Sequence, residues 1–149
     1  MPAGMPLLPA ETASPEETIA LGEALAGRLA PGDVVALYGD LGAGKTHLVR
    51  GIASGLGLDP AEVTSPTFVL IHEYPTDPPL YHFDAYRIAR PSEFIGIGFD
   101  EYSGGDGVCV IEWPERIEAL LPPRTIRLRL TAPAAAVRRF ERVGDGPEL

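Results

Sequence analysis

The feature that most constrains this chain is the run Gly39-Asp40-Leu41-Gly42-Ala43-Gly44-Lys45-Thr46, which fits the pattern G-x-x-x-x-G-K-S/T. The apolar run 34–38 before it predicts a strand buried on both faces, and a helix is predicted over about 45–54. A glycine-rich turn in that position directs backbone N–H groups inward and forms a nest for anions, toward which the helix dipole also points. The chain is therefore predicted to hold a phosphate-binding loop in an α/β domain.

The residue types in this loop each have a chemical reason to be there. The ammonium group of Lys45 can reach the β- and γ-phosphates of a nucleotide, and the Thr46 hydroxyl can hold Mg²⁺. Lys45 is also the only lysine of the chain, which has eleven arginines. If the segment were only a glycine-rich turn, the position of this lysine would be a coincidence. The residues predicted to hold the phosphates are Gly42, Ala43, Gly44, Lys45, Thr46 and His47.

Two acidic residues compete to be the carboxylate that such a site needs at the end of a neighbouring buried strand. Asp84 follows the predicted strand 80–83, and Glu112 follows the predicted strand 108–111. Glu112 is favoured as the metal ligand, because its strand is apolar throughout whereas His82 interrupts the other. Both can face one cleft, since ligands of open α/β sheets bind beyond the carboxyl ends of the strands. His82 points to the same face as Asp84, which permits a pair, although a satisfied core histidine is the commoner outcome.

Composition limits the class of protein. The chain has 149 residues, of which 45% are hydrophobic, enough for one domain with a core. It carries 12 basic and 21 acidic side chains, a net charge of −9, which argues against a stand-alone nucleic-acid binder. The single cysteine, Cys109, excludes an intramolecular disulfide and fits a reducing cytoplasm. No apolar run is long enough to cross a bilayer, and the first ten residues do not resemble a signal peptide.

The rest of the chain is predicted to alternate between helices and strands. Ser14 and Glu17 can form a capping box that opens a helix to about residue 30, and residues 91–102 predict a helix that two glycines weaken. Residues 125–131 alternate strictly and predict a half-exposed strand near a sheet edge, followed by a further strand or short helix. The predicted fold is a single α/β domain over 1–149, with a mixed, mostly parallel sheet flanked by helices, a loose N-terminal segment 1–13 and a loose tail 144–149.

Two classes of nucleotide-binding protein do not fit. A GTPase of this loop class uses an Asn-Lys-x-Asp motif for guanine, and the chain has no second lysine to supply it. The segment Tyr102-Ser103-Gly104-Gly105-Asp106 is similar to the signature of ABC-transporter ATPases, which should open a helix. Here the strand at Val108 begins almost at once, so that class is excluded.

Further segments accompany the phosphate loop in a fixed order. They are Val49-Arg50-Gly51, Ser65-Pro66-Thr67-Phe68, His82-Phe83-Asp84-Ala85-Tyr86-Arg87 and Ile111-Glu112-Trp113-Pro114. Together with the loop they resemble the TsaE family, also called YjeE, which comprises small bacterial ATPases of tRNA threonylcarbamoyladenosine biosynthesis. The resemblance covers about residues 14–115 and fades beyond them.

The resemblance implies a mixed α/β fold that binds ATP and Mg²⁺, with the metal held by Thr46 and Glu112. It implies functional importance for Asp84 and for Trp113, which sequence position alone leaves as a packed aromatic residue. It also implies two partners, TsaB and TsaD. TsaD transfers the threonylcarbamoyl group to tRNA, and ATP hydrolysis resets the complex between turnovers. His47 stands where the family often has a second threonine, so any role of that hydroxyl does not carry over.

We therefore expect a cytoplasmic, Mg²⁺-dependent ATPase that meets tRNA only through its partners, does not contact a membrane and is weak when alone. The expected catalytic residues are Lys45 on the phosphates, Glu112 on the metal, and Asp84, which orients the attacking water or a metal-bound water. Two alternatives stay open. One is a small-molecule kinase with the same loop, although the chain shows no lid insertion, and the other is a module that senses ATP without hydrolysing it.

Overall fold

Strand pairing joins the described chain into one sheet. The computed structural model describes residues 6–39, 44–64 and 70–144. The seven strands found there are β1 (Ala10–Thr12), β2 (Val34–Tyr38), β3 (Ile71–Tyr74), β4 (Leu80–Asp84), β5 (Val108–Glu112), β6 (Ile126–Ala134) and β7 (Val137–Val143). Their order across the sheet is β1-β7-β6-β2-β5-β4-β3. Strands β6, β2, β5 and β4 run parallel and the outer strands pair antiparallel, which confirms the predicted α/β domain with a mixed, mostly parallel sheet.

Helices cover both faces of the sheet. Side chains alternate along each strand, so Val110 of β5 packs with Leu48 and Ile52 on one face, while Ile111 packs with Phe94 and Phe99 on the other. None of the helices in the described part of the chain is long and apolar enough to span a membrane. The helices are α1 (Pro15–Ala26), α2 (Lys45–Gly55), α3 (Ser92–Gly96) and α4 (Phe99–Tyr102), with 3-10 turns at Pro60–Glu62 and Pro114–Leu120.

Helices α1 and α2 cross with their backbones in near contact. A Cβ atom built on Gly51 would lie 2.1 Å from the carbonyl oxygen of Ile19, and one built on Gly22 would lie 2.5 Å from that of Leu48. Real Cβ atoms do not approach so closely, so only glycine fits at either position. The crossing fixes α2 against α1 and thereby holds the first turn of α2 at the edge of the sheet.

The N-terminal segment differs from its prediction. Residues 1–13 are predicted to be loose, but Ala10–Thr12 form β1 on the edge of β7, and Leu7 is buried in the core. A strand of three residues that pairs through its backbone shows no periodic pattern of hydrophobic side chains. The sequence pattern therefore does not predict β1. The predicted cap of α1 is confirmed, since the Ser14 hydroxyl accepts from the N–H of Glu17 at 3.1 Å.

The remaining elements follow their predictions in part. Residues 91–102 form two short helices, α3 and α4, because the chain turns through the left-handed region at Gly98 (φ 88). Strand β6 is half-exposed and lies near one edge of the sheet, as predicted, with β7 and the short β1 outside it. The predicted phosphate ligands Gly42 and Ala43, the segment Ser65-Pro66-Thr67-Phe68 and residues 145–149 of the tail lie outside the described residues.

Candidate functional site

Lys45 is the first residue of α2 and only 1% of its surface is exposed. Its ammonium group donates to the carbonyl oxygen of Gly39 at 2.8 Å and lies 4.2 Å from the centroid of the Trp113 ring. Burying a charge is costly unless the charge is compensated, and here a carbonyl and an aromatic face provide that compensation. The ammonium therefore lies just beyond the carboxyl end of β2, where the phosphate-loop pattern predicts it.

Asp84 and Glu112 end the neighbouring strands β4 and β5 and face each other in the parallel register. Both are buried, with 8% and 4% of their surfaces exposed. Leu80 and Val108, which lie four residues earlier, pack in the core beneath α1 and α2, so alternation puts both carboxylates on the α2 side of the sheet. The two acids that compete in the sequence are thus brought together in the structure.

The pKa of Asp84 is affected by burial and by the charges of Glu112, His82 and Lys45. Burial raises the pKa of Asp84 above its usual 3.8, and the N–H of Tyr86, which donates to Oδ1 at 2.8 Å, opposes that rise. The charge of Glu112 also raises this pKa, whereas His82 and Lys45 lower it. The net effect is a raised pKa, and a carboxylate perturbed by burial and by charged neighbours is typical of a functional site.

His82 pairs with Glu112 and not with Asp84. Its Nε2 atom lies 2.6 Å from Oε2 of Glu112, and the imidazole is fully buried. Its Nδ1 atom is also buried and has no hydrogen-bond partner among the described residues. The histidine is therefore only half satisfied, unlike the satisfied core histidine that is the commoner outcome.

Trp113 takes a backbone conformation that bulky residues rarely adopt. Its φ of 58° and ψ of 49° lie in the left-handed region, where a side chain other than that of glycine is strained. The indole lies against the Lys45 ammonium and packs on Tyr86 with the ring centroids 4.9 Å apart. Trp113 is thus a wall of the site rather than only a packed aromatic residue, and strain of this kind clusters at functional sites.

The described part of the phosphate loop is placed as the pattern predicts. Gly44 caps α2, and Lys45, Thr46 and His47 form its first turn. The N–H groups of a first helical turn have no partner within the helix, so they are available to an anion. A Cβ at Gly44 would lie 2.9 Å from Cδ2 of Leu130, which leaves no room for a side chain unless Leu130 shifts.

A pocket of about 230 Å³ opens beside His47. It lies between the start of α1, the first turn of α2 and the turn that joins β6 to β7. Among its lining residues, the phosphate-loop motif predicts only His47, and Ser14 is predicted only as a helix cap. Nδ1 of His47 is buried and has no hydrogen-bond partner within the described ranges. The lining residues are Ala13, Ser14, Pro15, Thr18, His47, Ala135, Ala136 and Arg138.

Sequence comparison associates the chain with one family. The family model for the threonylcarbamoyl adenosine biosynthesis protein TsaE matches residues 12–140. The tRNA threonylcarbamoyladenosine biosynthesis protein TsaE of Bacillus subtilis is 48% identical over 118 residues, which cover 78% of this chain and 73% of that protein. The protein of the same name from Treponema pallidum is 45% identical over 117 residues, which cover 78% of this chain and 86% of that protein.

Structural comparison gives the same result. A crystal structure of YdiB from Bacillus subtilis matches with a TM-score of 0.73 and 40% sequence identity, covering 89% of this chain and 82% of that one. The family match extends to residue 140, whereas the resemblance apparent from the motifs fades after about 115. Strand β6 and the first part of β7 therefore belong to the shared domain.

Proposed function

The chain belongs to the TsaE family of tRNA threonylcarbamoyladenosine biosynthesis proteins, and on that premise we propose that it binds ATP with Mg²⁺ and hydrolyses it. The observation that carries the proposal is the meeting of Lys45, Asp84 and Glu112 at one edge of the sheet, beside the start of α2. An ammonium and paired carboxylates next to a helix N-terminus suit a triphosphate that arrives with a divalent cation.

The charges of the site support a metal together with the nucleotide. Asp84 and Glu112 are adjacent, and a triphosphate placed beside two carboxylates would be repelled unless a cation came with it. No three His, Cys, Asp or Glu side chains in the described ranges form a metal site by themselves. Phosphate oxygens would therefore complete the coordination of an Mg²⁺ held by Thr46 and Glu112, as Mg²⁺ commonly requires.

Each side chain has a distinct role in the proposed reaction. When ATP binds, the Lys45 ammonium group would leave Gly39 and Trp113 and contact phosphate oxygens instead. Oδ1 of Asp84 accepts the N–H of Tyr86, which fixes the carboxylate so that Oδ2 can accept a hydrogen bond from the attacking water. When bound, Mg²⁺ neutralises the charge that develops on the phosphates.

We place the nucleoside of ATP in the pocket beside His47. The pocket adjoins the first turn of α2, so a nucleotide whose phosphates lie on that turn would extend into it. Alanine and proline side chains form much of the lining, which suits the flat apolar faces of a base.

We further propose TsaB and TsaD as partners in the cytoplasm, with tRNA reached only through their complex. The net charge of −9 supports this arrangement, since an acidic chain is poorly suited to gripping RNA phosphates directly. The curated relatives are named for the same biosynthesis. Hydrolysis by the chain alone should be weak and should rise when the partners are present.

Phosphate release tests the proposal. We would measure it with the chain alone, with small-molecule acceptors, and with a TsaB–TsaD complex, each with and without Mg²⁺. Stimulation by the complex, dependent on Mg²⁺, is expected. Transfer of phosphate to an acceptor would indicate a kinase, and ATP binding without turnover in any mixture would indicate a sensing module.

A further inference from the structure

We propose that His82 is a positioning residue that orients Glu112 for Mg²⁺, an inference that rests on the proposed function. His82 acts through Glu112, to which its imidazole is joined at 2.6 Å inside the protein. It is the side chain that decides which oxygen of Glu112 is available to a metal.

The hydrogen bond assigns separate tasks to the two carboxylate oxygens. A carboxylate offers only acceptors, so we assign to His82 the tautomer in which Nε2 carries the proton and donates to Oε2 of Glu112. Oε2 is thereby committed to the histidine. The other oxygen, Oε1, makes no bond to the histidine and is the one better placed to bind a cation.

Packing alone does not explain a histidine at this position. All five residues of β4 are buried, and the residue opposite His82 on β5 is Val110. A leucine or valine would fill such a place without leaving Nδ1 buried and without a partner among the described residues. Because a buried unpaired nitrogen costs stability, the gain from the histidine must lie in what Nε2 does to Glu112.

The neighbouring charges show why Glu112 needs this support. Asp84 lies directly beside it in the register, and like charges push two carboxylates apart. Glutamate has three rotatable side-chain bonds, so a carboxylate repelled by Asp84 can turn toward Lys45 or toward solvent. A donor at Oε2 prevents that rotation. Partners that orient a metal ligand in this way typically account for about 10- to 100-fold in metal affinity.

The experiment measures metal binding directly, with Mn²⁺ in place of Mg²⁺ and a non-hydrolysable ATP analogue on the full chain. Bound Mn²⁺ is detected by electron paramagnetic resonance, and analogue affinity is measured separately in EDTA. The variants are His82→Leu, which removes the donor, His82→Gln, whose amide can donate near the position of Nε2, and His82→Asn, which is polar but too short. Leu80→Ala, two residues away on the same buried face, is the control for lost stability.

We expect His82→Leu and His82→Asn to weaken Mn²⁺ binding about 10-fold or more, while analogue affinity in EDTA changes less than about 2-fold. His82→Gln should stay within about 3-fold of the unsubstituted protein, because it restores the donor. Leu80→Ala should lower the melting temperature without this loss of Mn²⁺ affinity. If His82→Leu does not fold, the contrast between the asparagine and glutamine variants carries the same test.

Three results would overturn the inference: unchanged Mn²⁺ affinity in His82→Leu and His82→Asn, equal loss in His82→Gln and His82→Asn, or an equal loss in Leu80→Ala. Failure of the nucleotide and metal binding on which the proposed function depends looks different, because the unsubstituted protein would then bind neither the analogue nor Mn²⁺. That result would remove both proposals before any variant is compared.

Discussion

The ammonium group of Lys45 lies over the face of Trp113, 4.2 Å from the ring centroid. Lys45 is the only lysine of the chain and Trp113 the only tryptophan, so each can be followed individually in solution. A ligand that draws the ammonium toward phosphates must change the surroundings of the indole. The contact therefore links occupation of the site to a spectroscopic signal.

We expect Lys45→Ala to abolish measurable nucleotide binding, because the buried cation that is proposed to contact the phosphates is lost. In the unsubstituted protein, ATP should change the fluorescence of Trp113, and calorimetry should give the same affinity as the fluorescence titration. Lys45→Met, which keeps the length of the side chain but not its charge, should behave like the alanine variant. Retained ATP affinity in either variant would contradict the proposed site.

Substituting Glu112 and Asp84 one at a time should have different effects on ATP binding and hydrolysis. Glu112→Ala should chiefly weaken the Mg²⁺-dependent hydrolysis, since it removes the proposed metal ligand. Asp84→Ala should leave ATP affinity within about 3-fold and lower turnover with the partners by about 100-fold, the usual effect of losing a group that handles a proton. Calorimetry and phosphate release on both variants check this, and an equal loss of ATP affinity in the two would contradict the assignment.

Asp84→Asn should stabilise the nucleotide-free protein at neutral pH. Because burial raises the pKa of Asp84, the folded state binds the proton more tightly than the unfolded state. Stability due to the protonated acid is thus fully present below the unfolded pKa, near 3.8, and is lost as pH rises through the higher folded pKa. The gain in the free energy of unfolding of Asp84→Asn should therefore grow with pH over that window. Asp100→Asn, at an exposed position of α4, is the control.

Gly51→Ala should be strongly destabilising, by about 3 kcal/mol, because the new methyl group would lie 2.1 Å from the Ile19 carbonyl oxygen. Gly96→Ala provides the matched control within α3. Nothing lies within 4 Å of a Cβ there, so alanine should stabilise the helix by about 0.5 kcal/mol. Denaturant titrations of both variants measure the difference, and similar midpoints would show that the helices can separate to make room.

Cys109 should be inert to thiol reagents in the folded protein. It is completely buried in β5, and burial, aided by the charge of Asp106, raises the pKa of its thiol to about 12. Labelling at mildly alkaline pH should therefore proceed only as fast as the protein unfolds. Rapid labelling without denaturant would mean that β5 opens on its own.

The sequence predicts the frame of the site because strand, loop and helix follow one another directly in the chain. The β2 strand and the start of α2 need only local signals, namely an apolar run and the glycine pattern that ends in Lys45. Asp84 and Glu112 are also identifiable, since each closes an apolar run. The register that places these two residues side by side cannot be identified from the sequence. It depends on β4 and β5 being neighbours in the sheet, and residues far apart in the chain determine that arrangement.

Other features have no local signal. Alternation predicts the face on which His82 lies, but its partner belongs to another strand, so Glu112 cannot be distinguished from Asp84 beforehand. The left-handed backbone of Trp113 contradicts the preference of a bulky residue and arises from its tertiary surroundings. The pocket beside His47 joins three segments that are distant in sequence, and its small side chains form no recognisable motif.

The two glycines at the crossing of α1 and α2 also determine which part of the site can move to accommodate a ligand. Since Gly22 and Gly51 bring the two main chains together with no side chain between them, neither helix can move closer to the other without a steric collision. A ligand that arrives at the start of α2 thus meets a stiff support on one side. We therefore expect any accommodation to come from the rings of Trp113 and Tyr86, which are held by a tilted contact with centroids 4.9 Å apart rather than by backbone packing.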